Sequence, residues 1–251
     1  MEELAGGMSV QLVGSFPSKA PGDYIIASAA RTSFNNFNLA KTAEDDAKLI
    51  RRLYRDRHTS PFEMANVTFL VRAPKYVTIQ MLRHRTFKFN EESQRYHEIK
   101  DGFLHPSSDP RLFIRLQAGK QNKQSSVAVA QDSELNAELL NHVRKMESAL
   151  EEIETMYHQA IEMGMARECA RFCLPMATYS QLVVQCDLNN LMKFLRLRMA
   201  PDAQYEIRLI AGAMMRLATS IFPVTMGVFA ESVVVAESAV AAESVVATSK
   251  K

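Results

Sequence analysis

A chain of 251 residues, 47% apolar and 23% charged, has the length for one sizeable core and the composition of a soluble globular protein. Its formal net charge of +2 excludes the global basic field of a nucleic-acid binder, so any cationic feature has to be local. Three cysteines without a CxxC pair argue against a disulfide framework or a zinc site, and with an acidic opening and no membrane-length apolar run they predict a cytoplasmic protein.

Met8 to Phe16 alternates as an edge strand and is broken by Pro17. DYIIASAARTSF predicts a short helix ending near Arg31. Thr42 is the predicted N-cap of the next helix, with Glu44, Asp45 and Asp46 in its positive first turn, a Leu49-Ile50-Leu53 stripe and cations at its end. Ala65 to Ala73 reads as a strand, and Pro74 can open a helix running to about Arg83. The polar stretch from Glu98 to Ser133 is predicted as loop, mobile around Lys120 to Ser126. A long amphipathic helix begins at Ser133, its stripe formed by Leu135, Leu139, Val143, Met146, Leu150, Ile153 and Tyr157, with Gly164 as its stop and Met146 and Met156 expected in the core. ARECARFCL is helical up to Pro175, TYSQLVVQC has strand character, and two helices follow, Leu188 to Arg198 and Ala203 to Phe222, separated by Pro201. From Glu231 a low-complexity repeat of Ala, Glu, Ser and Val, with Glu at 231, 237 and 243, reads as a solvated tail. The expected class is α+β: a helix-rich domain over 1–230 with a small, mostly antiparallel sheet, followed by the tail at 231–251.

One stretch stands apart, QMLRHRTFKFNEESQRY over residues 80–96. Gln80 and Arg83 share a helix face, and the Arg-His-Arg triplet lies at a helix C-terminus, where cations suit the dipole. Asn90, Glu91, Ser93, Gln94 and Arg95 then add amide, carboxylate, hydroxyl and guanidinium groups between Phe87, Phe89 and Tyr96. Guanidinium forks bind phosphate bidentately, and amides and hydroxyls read ring edges. The residues alone leave two readings open, a nucleotide-phosphate site and a solvated charged loop.

RHRTFKFNEES has the form Arg-His-Arg, seven residues, Ser, and resembles the signature of the flavin-dependent thymidylate synthases. AARTSF, HTSPFEM, ECARFCLP and FLRLRMAPDAQYEIR resemble further segments of that family in the same order, over about Tyr24 to Phe229. The resemblance implies reductive methylation of dUMP to dTMP, with 5,10-methylenetetrahydrofolate as carbon donor and NADPH-reduced FAD as hydride source, in a homotetramer with shared active sites. It implies a dUMP site of Gln80, Arg83, Glu91, Ser93, Gln94, Arg95, Arg171 and Arg198, with Arg95 and Arg171 on the phosphate and Arg198 as the catalytic cation beside the uracil. It implies a flavin site of Ser60, Arg83, His84, Arg85, Glu91, Asn189 and Lys193, with His58 a further candidate, built without a Rossmann or P-loop turn. Three departures stand out: Met64 replaces a His of the family pattern, Asp187-Leu188-Asn189 stands where relatives often carry Asn-x-Arg, which leaves Asp187 as a candidate for a ribose or adenine amine, and Lys193 stands where an Asn or His is common, a cation that partly compensates.

Ser93 is expected to hydrogen-bond the nucleotide rather than to attack it. Cys169, Cys173 and Cys186 read as small core hydrophobes with unactivated thiols, so hydride chemistry is expected to replace cysteine nucleophilic catalysis. No pattern of ligands predicts a metal site. The competing class is a non-catalytic nucleotide- or RNA-binding protein that uses 83–96 as a basic-aromatic patch.

Overall fold

Residues 66–74 read Asn-Val-Thr-Phe-Leu-Val-Arg-Ala-Pro, and burial follows the alternation: Val67, Phe69, Val71 and Ala73 are fully buried while the residues between them are half-buried. In the computed structural model, which describes residues 1–37, 39, 41–100, 102–119 and 124–234, this is the third strand of a chain that runs β1 (Glu2–Glu3), β2 (Ser9–Phe16), α1 (Tyr24–Arg31), α2 (Ala43–Arg55), β3 (Asn66–Pro74), α3 (Lys75–Leu82) and β4 (Lys88–Glu91). It continues with β5 (Arg115–Gln117), β6 (Ser126–Ala128), α4 (Glu134–Glu162), α5 (Arg167–Ala170), β7 (Tyr179–Asp187), α6 (Leu188–Arg198), α7 (Tyr205–Thr219) and a final helix α8 over 223–234. The α+β expectation holds: helices dominate beside a small antiparallel sheet. Among the described residues no helix is long and apolar enough to cross a membrane.

Two units divide the chain. The first takes Met1–Gln11, Phe69–Gln185 and Leu197–Ala213. Its sheet has the order β1-β2-β3-β7-β4, and β2, β3 and β7 continue along the chain into the second unit. The pairs β1–β2 and β4–β7 are antiparallel, with Glu2 opposite Val10 and Asn90 opposite Val183. The two residues of β1 cap the start of β2, which the sequence reading had placed at the sheet edge. At that corner Arg72 donates to the Gly7 carbonyl at 2.6 Å and its guanidinium lies 3.8 Å over the Tyr179 ring, whose hydroxyl donates to the Gly6 carbonyl.

The long helix α4 begins where predicted, with Ser133 accepting from Asn136 N at 3.1 Å, and ends at Gly164, whose φ of +84° a side chain would strain. Its apolar stripe is narrower than predicted. Val143 and Tyr157 are buried, whereas Leu135, Met146 and Met156 are exposed, because α4 turns toward the protein only the face that carries residues 143 and 157. The stretch expected as loop contains the hairpin β5–β6, Arg115 opposite Ala128; residues 120–123 of the expected mobile tip lie outside the described residues.

The second unit takes Leu12–Thr68, Cys186–Arg196 and the residues from Met214 on. The cap of α2 is as predicted: Thr42 Oγ1 accepts from Asp45 N at 3.1 Å, and Ile50 and Leu53 are buried. α8 was not foreseen, and its cap is remote in sequence. The buried carboxylate of Asp23 accepts from Val224 N at 3.1 Å, Thr225 N at 2.9 Å and the Thr225 hydroxyl at 2.6 Å. Beside it Gly22 approaches so closely that a Cβ would meet the Phe222 ring at 2.5 Å. α8 carries on into the segment read as tail, with Glu231 paired to Arg51 at 2.8 Å and Ser232 bonded to Tyr54 at 2.7 Å. Glu237 and Glu243 of the repeat lie outside the described residues.

Candidate active site

Helix α3 stops because Leu82 is followed by a tight turn. His84 N donates to the Met81 carbonyl and Phe87 N to the His84 carbonyl, both at 2.9 Å, and buried Phe87 pins the turn from below. Arg83, Arg85 and Lys88 are thereby left on the surface, and none of the three makes a side-chain hydrogen bond or ion pair among the described residues. Unpaired cations concentrated on one turn form an anion-binding surface.

Between them His84 turns inward. Its Nε2 accepts from Arg198 Nε at 3.0 Å, and Arg198 Nη2 donates to the Gln80 carbonyl at 3.2 Å. Two bonds therefore aim the Arg198 guanidinium at the end of α3. His84 has to be neutral to accept, and burial, with the Arg198 charge second, pulls its pKa down to about 4. Burial also lowers the Arg198 pKa from its ordinary value. The Gln80 amide donates to the Gln204 side-chain carbonyl, and the Tyr76 hydroxyl, one turn earlier, donates at 2.9 Å to Glu206, buried in the first turn of α7. Burial first, then the Glu206 charge, raises the Tyr76 pKa and keeps its proton in place.

Residues 90–98 are handled differently. In β4, Glu91 faces β7, and its Oε1 accepts from Lys75 Nζ and from Ser180 Oγ, each at 2.5 Å. Glu92 accepts from Gln181 N at 3.1 Å and sits 3.5 Å from His97. Ser93 Oγ accepts from Arg95 N at 3.3 Å and shapes the turn, a role that fits a hydrogen-bonding rather than a nucleophilic serine. The Gln94 side chain has no partner among the described residues. Arg95 is paired with Glu168 at 2.8 Å.

Arg171 begins the short turn 171–173 that continues α5; it is exposed and has no side-chain partner among the described residues. A small core of Ile99, Tyr157 and Ala170, joined by Ala160, Ile161, Cys173 and Leu174, fixes that turn. Ile99 N donates to the Tyr157 hydroxyl at 3.2 Å, and Glu98 pairs with His158 at 2.6 Å. Helix α4 is thus the common support for the segments that carry Arg95 and Arg171.

Ser60, Asn189 and Lys193 belong to the second unit. Ser60 borders an open cleft of about 480 Å³, lined also by Phe16, Ile25, Thr32, Ser33, Phe37 and Met64. Asn189 is buried and donates to Glu63 at 2.8 Å, while Lys193 is exposed with Asn190 Oδ1 at 3.5 Å. Asp187 spends both carboxylate oxygens on Asn190, at 2.8 Å to N and 2.6 Å to Nδ2. It caps α6, which accounts for a carboxylate at that departure from the family pattern without any nucleotide contact.

The residues that hold the site residues in place were not singled out from sequence: Lys75, Ser180, Gln204, Glu206 and Glu168. Their partners lie from 16 to 130 positions away, for Lys75 and Glu206 respectively; Glu168, Gln204 and Glu206 stand inside the family-like segments, but nothing local in them points to these partners. The cysteine expectation needs one correction. Cys186 is buried, and burial with Asp187 beside it pushes its thiol far up, but Cys169 is exposed because it stands on the outer side of the short α5. No cluster of metal-ligating residues occurs among the described residues. Of the rings in the basic-aromatic stretch, Phe87 is buried and Phe89 packs on it at 6.0 Å, so these two serve the fold, while Tyr96 is exposed.

The family model described as thymidylate synthase complementing protein matches residues 18–224. A protein named flavin-dependent thymidylate synthase from Thermus thermophilus is 41% identical over 212 residues, 84% of this chain and 73% of that protein. One of the same name from Treponema denticola is 39% identical over 207 residues, 82% of this chain and 74% of the relative. Among solved structures, the UMP/dUMP methylase PolB from Streptomyces cacaoi bound with 5-Br dUMP superposes with a TM-score of 0.77 at 34% identity, covering 92% of this chain and 97% of that one.

Proposed function

The chain belongs to the family of thymidylate synthase complementing proteins, the flavin-dependent thymidylate synthases, and on that premise we propose that it methylates dUMP to dTMP with 5,10-methylenetetrahydrofolate as carbon donor, FAD as cofactor and NADPH as reductant. The observation that carries the assignment to these residues is the contrast on one turn between unpaired Arg83 and Arg85 and the doubly held Arg198. An anion seat lies beside a cation whose direction is fixed.

The donor set fits FAD. Arg83 and Arg85 offer guanidinium groups with no competing protein anion among the described residues, as a pyrophosphate requires, and Ser60 supplies a hydroxyl on a mostly apolar cleft. The first unit adds His84 and Glu91, the latter with part of its polar capacity already committed to Lys75 and Ser180. The second unit, taken by itself, offers Ser60, the exposed Lys193, and Asn189 bonded to Glu63. When bound, the flavin supplies the hydride that completes the methyl group.

The protein's own groups bind and orient. Arg95 and Arg171 take the dUMP phosphate. Gln80, Arg83, Ser93, Gln94 and the second oxygen of Glu91 line the nucleotide. Arg198 faces the uracil, and because its two hydrogen bonds are already made, it stabilises negative charge developing on the ring without reorganising. The reaction is read as needing no cysteine nucleophile; of the three thiols, Cys186 is held protonated by burial. The working form is a homotetramer, for which exposed Tyr96 and Phe172, chain neighbours of the phosphate arginines, and exposed Met163 provide contact surface.

The test is direct. The purified protein is expected to be yellow or to take up FAD, to be bleached by NADPH faster when dUMP is present, and to form dTMP once methylenetetrahydrofolate is added. A colourless protein with no FAD uptake at micromolar concentration would refute the reading.

A further inference from the structure

Arg95 already holds an anion. Its guanidinium lies 2.8 Å from the Glu168 carboxylate, and both side chains are more than half exposed, at 60% and 55%. Glu168 stands three residues before Arg171 on the same helical stretch, so the pair draws Arg95 toward the turn that carries the other phosphate arginine. Arg167 makes a second tie between the same two segments, donating to the Tyr96 carbonyl at 3.4 Å. The core of Ile99, Tyr157 and Ala170 supports both from below.

Resting on the reading of Arg95 and Arg171 as the phosphate seat, we infer that Glu168 is an affinity-setting residue that stands in for the nucleotide phosphate on Arg95 and has to be displaced when dUMP binds. An ion pair this open to water is weak, so its carboxylate can be exchanged. It is not without effect. Two guanidinium groups and one carboxylate leave the seat with a net charge of +1, where the arginines alone would present +2. A phosphate monoester carries roughly −1.5 to −2 at neutral pH, so Glu168 weakens the hold on substrate and product alike. Binding both more loosely keeps the product from clogging the seat.

The experiment is calorimetric titration of dUMP and of deoxyuridine, which lacks the phosphate, into the full-length flavin-loaded protein. Glu168→Gln is expected to tighten dUMP about three- to fivefold, the size of an exposed ion pair that no longer has to be broken, and to leave deoxyuridine within about twofold. Glu168→Ala serves as a second variant and should move dUMP in the same direction. In an Arg95→Ala background most of the gain should vanish, which a purely structural role would not produce. If dUMP binds better than deoxyuridine but Glu168→Gln leaves dUMP unchanged or weaker, the role of Glu168 is overturned while the seat survives. If dUMP binds no better than deoxyuridine in the unaltered protein, the phosphate seat itself is wrong and this inference falls with it.

Discussion

Residues 83–88 and residues 91–98 follow one another in the chain and carry charges at similar density, yet the protein treats them in opposite ways. In the first stretch Arg83, Arg85 and Lys88 have no side-chain partner among the described residues. In the second, Glu91, Glu92, Arg95, His97 and Glu98 are all paired. Charges left unpaired at a surface turn are available to a ligand, while charges paired within the fold set the shape of the seat. Arg198 joins the two regimes, a cation held in place by two hydrogen bonds to uncharged acceptors, His84 and the Gln80 carbonyl.

The sharpest way to break this division is Arg198→Ala. Loss of a preoriented cation beside developing charge costs on the order of a hundredfold or more in turnover, and flavin content measured by absorbance should be unaffected. Retained turnover would remove Arg198 from the chemistry. Next in size, Arg171→Ala and Arg95→Ala are expected to weaken dUMP binding by about 1.5–3 kcal/mol, with deoxyuridine almost insensitive. Arg171, which has no protein anion to release, should give the larger loss in the same titration.

The third test exchanges the regimes. Lys75→Met strips a partner from the half-buried Glu91 and is expected to cost about 1–2 kcal/mol of stability in urea unfolding, whereas Arg85→Met should fall within about 0.5 kcal/mol. Equal costs would erase the distinction between paired and unpaired charges. The smallest effect concerns pH. With His84 held at about 4 against an ordinary value of 6.5, the unfolded chain takes up that proton first as pH falls. The stability contributed by neutral His84 is therefore complete above about pH 6.5 and declines toward about pH 4. Unfolding of the unaltered protein should weaken more steeply over that window than unfolding of His84→Gln, and identical slopes would show that His84 titrates as an ordinary surface imidazole.

Much of the fold is legible because its signals are local. Thr42 and Ser133 cap helices by accepting from a backbone three residues ahead, and Gly164 and Pro201 interrupt helices through their own backbone preferences. β4 was not legible: four residues of a charged motif are a strand only because β7 pairs with them. The same holds for β5 and β6, three residues each, defined by one another. The motif and its relatives' pattern brought out Gln80, His84 and Arg198, which the structure does join, and Arg83, which it leaves exposed on the same turn. The Glu168 contact to Arg95 and the Lys75 contact to Glu91 cross between segments and leave no trace in local periodicity.

The cap of α8 has a consequence for how the chain is made. Asp23 emerges from the ribosome early, whereas the amides it serves lie 201 and 202 positions later. Until they arrive, a carboxylate destined for burial has to stay in water, which keeps the start of the second unit open during translation. Completion of that unit is therefore tied to the synthesis of residues 224 and 225. A chain stopped before Thr225 exposes the ionised Asp23 and the surface meant to receive Phe222, Met226 and Phe229, and so offers itself to chaperones and proteases as unfinished.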